Sequence, residues 1–181
     1  TLNVTTYYLE QTSPSDLKAK PSNDAVEIKQ VEIPLPELNR FFYVTVGRDW
    51  YWVDRLTWSY DEWKAWAESP ELQTWVLYVQ GTPAGYFEVE KRQHTVNLAY
   101  FGLLPQFVGK GVGGYFLSRA VEAAWAWDAT RVTVNTCTLD HESALANYQA
   151  RGFKIYEQKT ESKTLPDIKP ELWFGANQTG K

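Results

Sequence analysis

The alternation of apolar and polar positions divides this chain into short strands and a few helices. Residues 4–10, rich in β-branched and aromatic side chains, predict a first strand. Ser13-Pro14-Ser15-Asp16 has the form of a helix start, with Pro14 suited to the first helical position. Residues 25–33 alternate with one slip and predict a second strand, broken by Pro34 and Pro36. Leu38, Phe41 and Phe42 mark one face of a helix over 35–46. Ser59 and Glu62 form a capping box for a short helix over 59–68, with Trp63 and Trp66 on one face. Residues 72–80 and 84–90 read as a hairpin about a Gly81-Thr82-Pro83 turn. A strand over 95–104 ends at Pro105. Residues 113–127 predict a strong amphipathic helix with Leu117, Val121 and Ala124 on one side. A strand over 131–136, a helix over 141–151 stopped by Gly152, and a strand over 153–160 complete the pattern. From Ser162 it fades into a tail with Pro166 and Pro170, read as partly ordered.

The order is a run of antiparallel strands followed by strand–helix–strand–helix–strand. No internal repeat or linker divides it. The expectation is one α/β domain (α+β in style) over residues 1–161 with a mixed sheet, and a C-terminal tail over 162–181.

Composition narrows the function classes. The chain has 181 residues, 44% hydrophobic and 22% charged, with a mean hydropathy of −0.44, which fits a globular domain with a sizeable core. No apolar run approaches the roughly 18 residues that cross a bilayer, so no membrane partner is expected. The first ten residues lack a basic start and an apolar stretch, so no secretory leader is expected either, and a cytoplasmic setting follows. A single cysteine, Cys137, excludes an internal disulfide, and two histidines, His94 and His141, argue against a metal centre. A net charge of −4 argues against a general nucleic-acid binder. The unusual feature is nine Trp, eleven Tyr and eight Phe. Several cluster at Trp50, Tyr51, Trp52, Trp58, Tyr60, Trp63 and Trp66, and core packing is the plain account of most of them.

The most informative stretch runs from Leu103 to Gly114. A predicted strand leads into four glycines in six residues (Gly109, Gly111, Gly113, Gly114), and a long helix starts directly after them. Glycine admits a ligand without a Cβ in the way, and the unpaired amides of a helix start, at the positive end of its dipole, favour phosphate. The spacing is not the GxGxxG of a dinucleotide fold, and no P-loop Gly-Lys-Ser/Thr occurs. A turn serving only geometry is the competing account.

This stretch resembles motif A, Gln/Arg-x-x-Gly-x-Gly/Ala, of the GCN5-related N-acetyltransferase (GNAT) superfamily, with Val108, Gly111 and Gly113 at the matching positions. Val108 departs from the usual Arg or Gln. Ala144-x-x-x-Tyr148-x-x-x-Gly152-Phe153 is similar to motif B, with His141 where the family has Asn. The resemblance covers residues 72–160 well and the first 70 loosely. It implies a central, mostly antiparallel sheet flanked by helices and splayed beside the strand ending at Leu103, where backbone groups pair with the pantetheine arm. The acceptor-side elements then lie over 34–70 and the coenzyme motifs over 95–153. The pyrophosphate would sit on the amides of Val108, Gly109, Lys110, Gly111, Val112, Gly113 and Gly114, with His141 and Tyr148 also at the coenzyme.

The resemblance implies N-acetyl transfer from acetyl-CoA, used as co-substrate without a metal, to an amine on a small molecule or peptide, by direct attack in a ternary complex. It assigns Tyr148 to the departing thiolate, a phenol being a fitting partner for sulfur of similar basicity; core packing is its competing account. The oxyanion donor is expected at the backbone N–H of Leu103 or Leu104. The position where many relatives carry a base falls on Asn97. Glu88 and Glu90, on one strand face with Tyr86, are alternative bases, directly or through water, or else solvated carboxylates. Trp50, Tyr51, Trp52 and Asp54, with Arg48, Asp49 and Arg55 beside them, are candidates for acceptor contact, or an aromatic cap over the sheet. Lys110 is a candidate phosphate contact or a plain surface lysine, and Cys137 reads as a small buried residue. Three other readings stand beside this one: transfer of another acyl group, a catalytically impaired CoA-binding sensor or scaffold, and a peptide-binding module. A homodimer is compatible with the sequence, which sets no oligomeric state.

Overall fold

The computed structural model describes residues 1–21 and 25–173; the Gly/Asn/Lys ending beyond 173 lies outside them. Seven strands form one mixed sheet in the order β2-β3-β4-β5-β6-β1-β7. They are β1 (Leu2–Gln11), β2 (Val26–Gln30), β3 (Leu72–Val79), β4 (Thr82–Arg92), β5 (Thr95–Leu103), β6 (Arg131–Cys137) and β7 (Lys154–Lys163). Among the described residues four helices accompany them: α1 (Pro36–Gly47), α2 (Tyr60–Ala67), α3 (Gly113–Ala126) and α4 (Ala144–Ala150). Every pairing is antiparallel except β5 with β6.

Period-two alternation sends neighbouring side chains to opposite faces. Phe87, Val89 and Leu98 turn to one side, where Phe116, Leu117, Ala120 and Ala124 of α3 close the main core with Tyr148 and Phe153. Val76 and Tyr86 turn to the other, against Phe42 and Val46 of α1. Tyr43, Val44 and Trp63 extend that second layer to α2. Ser59 caps α2 as the sequence implies, its hydroxyl accepting from Glu62 N–H while the Glu62 carboxylate accepts from Ser59 N–H.

Several boundaries differ from expectation, among them β2, which ends at Gln30. Pro14–Asp16 is a single 3-10 turn, because Asp16 folds back to accept from the N–H groups of Thr12 and Ser13. Thr82 and Pro83 belong to β4, and the hairpin turns on Gln80 and Gly81, both at positive φ (48° and 79°), as a two-residue turn requires. Helix α4 begins at Ala144, leaving His141 in the preceding turn, where its Nδ1 accepts from Ser143 N–H at 3.1 Å. Strand β7 continues to Lys163, and the segment after it docks: Lys169 pairs with Asp49 at 2.7 Å and Leu172 packs against the Tyr43–Trp63 cluster.

Strand β1 lies between β6 and β7 and pairs with both, Thr6 opposite Cys137 on one side and Lys159 on the other. The N-terminal segment thereby completes the half of the sheet that follows the glycine loop.

Candidate active site

The parallel pairing of β5 with β6 covers only Thr95–Arg131 to Leu98–Val134. Beyond it β5 runs on to Leu103 and β6 to Cys137 without being partners. Ala99 is an extra residue in β5: Glu88 faces Tyr100 and Val89 faces Leu98. Such a bulge bends the strand and ends regular pairing beside it. The sheet therefore opens into a wedge between Ala99–Leu103 and Asn135–Cys137.

Which backbone groups face the wedge follows from the β4–β5 ladder. Leu104 N–H donates to the Ala84 carbonyl at 2.8 Å, and the register continues as Gly85–Leu103, Tyr86–Gly102 and Phe87–Phe101. Bonded and non-bonded pairs alternate in an antiparallel ladder, so Leu103 and Phe101 turn their N–H and C=O away from β4, into the wedge. Of the two expected oxyanion donors, Leu104 is thus engaged elsewhere, and Leu103 faces the opening.

The glycine loop sits at the mouth of this wedge. Gly109 and Gly111 hold φ of +77° and +80°, and a Cβ on either would meet nothing within 4 Å. The first bond of α3 runs from Phe116 N–H to the Val112 carbonyl, and among the described residues no side chain caps the helix. The amides of Gly113, Gly114 and Tyr115 therefore have no partner inside the helix, at its positive end. Open glycine faces over uncapped amides fit a pyrophosphate. Val108, 38% exposed, adds only a surface side chain, and Lys110 is exposed.

Across the wedge, Trp50 meets the His141 ring edge-on, centroids 5.1 Å apart. The loop after α1 therefore touches the turn before α4. Trp52 seats over Gly47 and contacts Tyr100 (4.9 Å between centroids). Val46 fills the space a side chain on Gly102 would need. Tyr51, half-exposed, is held at φ +58°, and Asp54 is exposed. Tyr148 is buried beside Phe153, and burial, with the nearby Asp140 charge, pushes its phenol well above the ordinary tyrosine range.

Glu88 is not a solvated carboxylate. It is fully buried, and its oxygens accept from Asn39 Nδ2 (3.1 Å), Arg55 Nη1 (3.3 Å) and Trp66 Nε1. Its pKa is raised because desolvation outweighs the pull of Arg55 and the two other donors. Arg55 lies among aromatic rings, 4.1 Å from the Trp66 centroid, 4.3 Å from Tyr100 and 4.5 Å from Trp58. The aromatic cluster thus already holds a cation, the chain's own guanidinium. Tyr86, fully buried and stacked on Phe42, leaves its hydroxyl without a partner.

The remaining candidates lie outside the wedge, except Cys137 at the end of its β6 edge. Glu90 pairs with Arg92, and Asn97 accepts from Thr133 Oγ1 at 3.0 Å in the paired part of β5 and β6. His94 is exposed, 3.8 Å from Asp128. Cys137 is half-buried, its thiol pushed up by burial and by Asp140. Among the described residues no group of three His, Cys, Asp or Glu could hold a metal. Sequence reasoning missed Asn39, Trp66 and Tyr100. Their only signal was the charge of Arg55 set inside an aromatic run.

The family model described as Acetyltransferase (GNAT) family matches residues 36–153. A GCN5-related N-acetyltransferase from Kribbella flavida superposes with a TM-score of 0.62 at 16% identity, over 85% of this chain and 55% of its own. Another from Sphaerobacter thermophilus gives 0.66 at 11%, over 87% and 50%. The ribosomal-protein-S18-alanine N-acetyltransferase from Escherichia coli gives 0.53 at 13%, over 71% and 78%. The chain spans about half the length of the first two, and at these identities the likeness is one of fold. No curated protein matches the sequence.

Proposed function

Because this chain belongs to the acetyltransferase (GNAT) family, we propose that it transfers an acetyl group from acetyl-CoA to an amine by direct attack in a ternary complex. One observation carries the reading: β5 and β6 part after Leu98 and Val134, and β5 then leads into a glycine loop that opens a helix. Phe101 and Leu103 offer strand-like partners to the pantetheine amides. The amides from Gly109 to Tyr115 receive the pyrophosphate. Leu103 N–H lies on the side where an oxyanion develops. Tyr148, kept protonated by burial, donates a proton to the departing sulfur and regains one as the acylated nitrogen sheds it to become the amide, so CoA leaves as the thiol.

The acceptor enters beside Trp50, Tyr51, Trp52 and Asp54, and we read it as a small amine or a lysine-like side chain. Glu88 serves as a positioning residue. Its carboxylate fixes Arg55 and the aromatic wall around it, and the ammonium loses its proton to solvent before attack. A second reading, a CoA-binding sensor without turnover, is favoured by that same engagement of Glu88. Release of CoA thiol from acetyl-CoA, followed with polyamines, amino-acid amines, aminoglycosides, alcohols and neutral amides, tests the proposal. Release that depends on an amine supports it. Tight CoA binding with no release from any acceptor selects the sensor, and release confined to alcohols overturns the amine assignment.

A further inference from the structure

Two cations converge on the first turn of α3: Arg151, from an unassigned position inside the Ala144–Phe153 motif, and Lys20, from outside the motifs. A Cβ on Gly114 would lie 2.7 Å from Lys20 Cδ, 3.4 Å from Lys20 Nζ and 3.0 Å from Arg151 Nη1. Arg151 is the residue after α4, and Lys20 belongs to the segment between β1 and β2. Hydrogen bonds remote in sequence hold both backbones there. Lys20 N–H donates to Ser118 Oγ, which donates to the Gly114 carbonyl, each at 2.8 Å. The Arg151 carbonyl accepts from Lys18 N–H at 3.0 Å and from Gln11 Nε2 at 2.9 Å.

The charges themselves are unanswered. Neither Lys20 nor Arg151 forms an ion pair among the described residues. Arg151 Nε and Nη1 are enclosed and have no acceptor among the described residues. Enclosed charged donors without a partner are costly, and here they stand beside a second cation and the positive end of a helix. An anion reverses the sign of all three terms. Among the described residues the carboxylate in the same segment, Asp16, is occupied by the N–H groups of Thr12 and Ser13.

We propose that Arg151 and Lys20 form a phosphate-binding element for the nucleotide end of the coenzyme, on the α4 side of the glycine loop. This rests on the coenzyme reading above. The exposed Lys20 side chain swings off Gly114 as the phosphate arrives, and the Arg151 fork gains the acceptor it lacks. A phosphate monoester and a pyrophosphate both satisfy this chemistry, so the ligand group is either the 3′-phosphate or the pyrophosphate of CoA.

The test is calorimetric titration of CoA and of dephospho-CoA, which lacks the 3′-phosphate, into wild type, Arg151→Gln and Lys20→Gln at fixed ionic strength. Arg151→Gln is expected to weaken CoA binding about tenfold or more, and Lys20→Gln by a smaller factor. A deficit that disappears with dephospho-CoA assigns the 3′-phosphate, and one that persists assigns the pyrophosphate; either supports the proposal. Should Arg151→Gln fail to fold, Lys20→Gln at an exposed position decides alone. CoA affinity within twofold of wild type in every folded variant overturns the proposal. Wild type that binds neither ligand overturns the coenzyme reading and this element with it.

Discussion

Leu104 donates its backbone N–H to the Ala84 carbonyl at 2.8 Å, and that bond decides that Leu103 faces the wedge. The arrangement depends on Gly85, where a Cβ would lie 2.6 Å from the Gly102 carbonyl and 3.3 Å from Leu103 Cα. Gly85→Ala must therefore move the β5 backbone. It is predicted to cost about 1–3 kcal/mol of stability and to raise the KM for acetyl-CoA about tenfold. Chemical denaturation with steady-state kinetics checks both, and unchanged KM would show that Leu103 does not touch the coenzyme.

Glu88→Gln puts an NH2 group among three donors and leaves Arg55 without its counter-charge. A loss of about 3 kcal/mol is expected, the scale for breaking a buried pair. A positioning role predicts a raised KM for the amine and an unmoved pH–rate profile. A base would instead show kcat falling on the order of 10²-fold or more and the loss of one limb of that profile.

Tyr148→Phe removes only the hydroxyl. It should lower kcat on the order of 10²-fold while KM for acetyl-CoA stays within about threefold, because the group acts as sulfur leaves. Unchanged kcat would return Tyr148 to the core, where Phe153 already packs against it.

Burial raises the phenol pKa of Tyr43, Tyr86, Tyr100 and Tyr148 above the ordinary value near 10. The folded state keeps these protons at a pH where the unfolded chain releases them. Stability is therefore unaffected below about pH 10 and falls above it, by up to about 1.4 kcal/mol per pH unit for each group. Phenolate absorbance and circular dichroism should change together in a single alkaline transition. Four phenols titrating near 10 in the folded protein would contradict this.

The sequence carried the elements and the coenzyme side farther than the acceptor side. Strands and α3 are set by local periodicity and by Gly109 to Gly114, signals confined to a few neighbouring residues. The wedge was legible only through the family resemblance, since where β6 leaves β5 depends on a bulge at Ala99 that no residue type announces. That β1 would lie between β6 and β7 has no local signature at all. For Glu88 a base and a solvated carboxylate both stood open, because the period of a strand does not tell which face a helix covers. Its burial comes from Asn39, Arg55 and Trp66 arriving from three other segments. Lys20 and Arg151 are far apart in sequence and are brought together by bonds to Ser118, Gln11 and Lys18.

On the function proposed above, the coenzyme lies between β5 and β6 with its phosphates on the start of α3. Amide-resolved NMR of the wild-type protein, with CoA added stepwise, tests it most directly. Shifts and exchange protection are predicted to concentrate at Phe101, Leu103 and the amides from Gly109 to Tyr115, while Leu104, already bonded to Ala84, keeps the exchange rate it has in the free protein. Saturating CoA that leaves Leu103 and the glycine-loop amides unmoved, or that shifts only residues outside the wedge, would contradict the account.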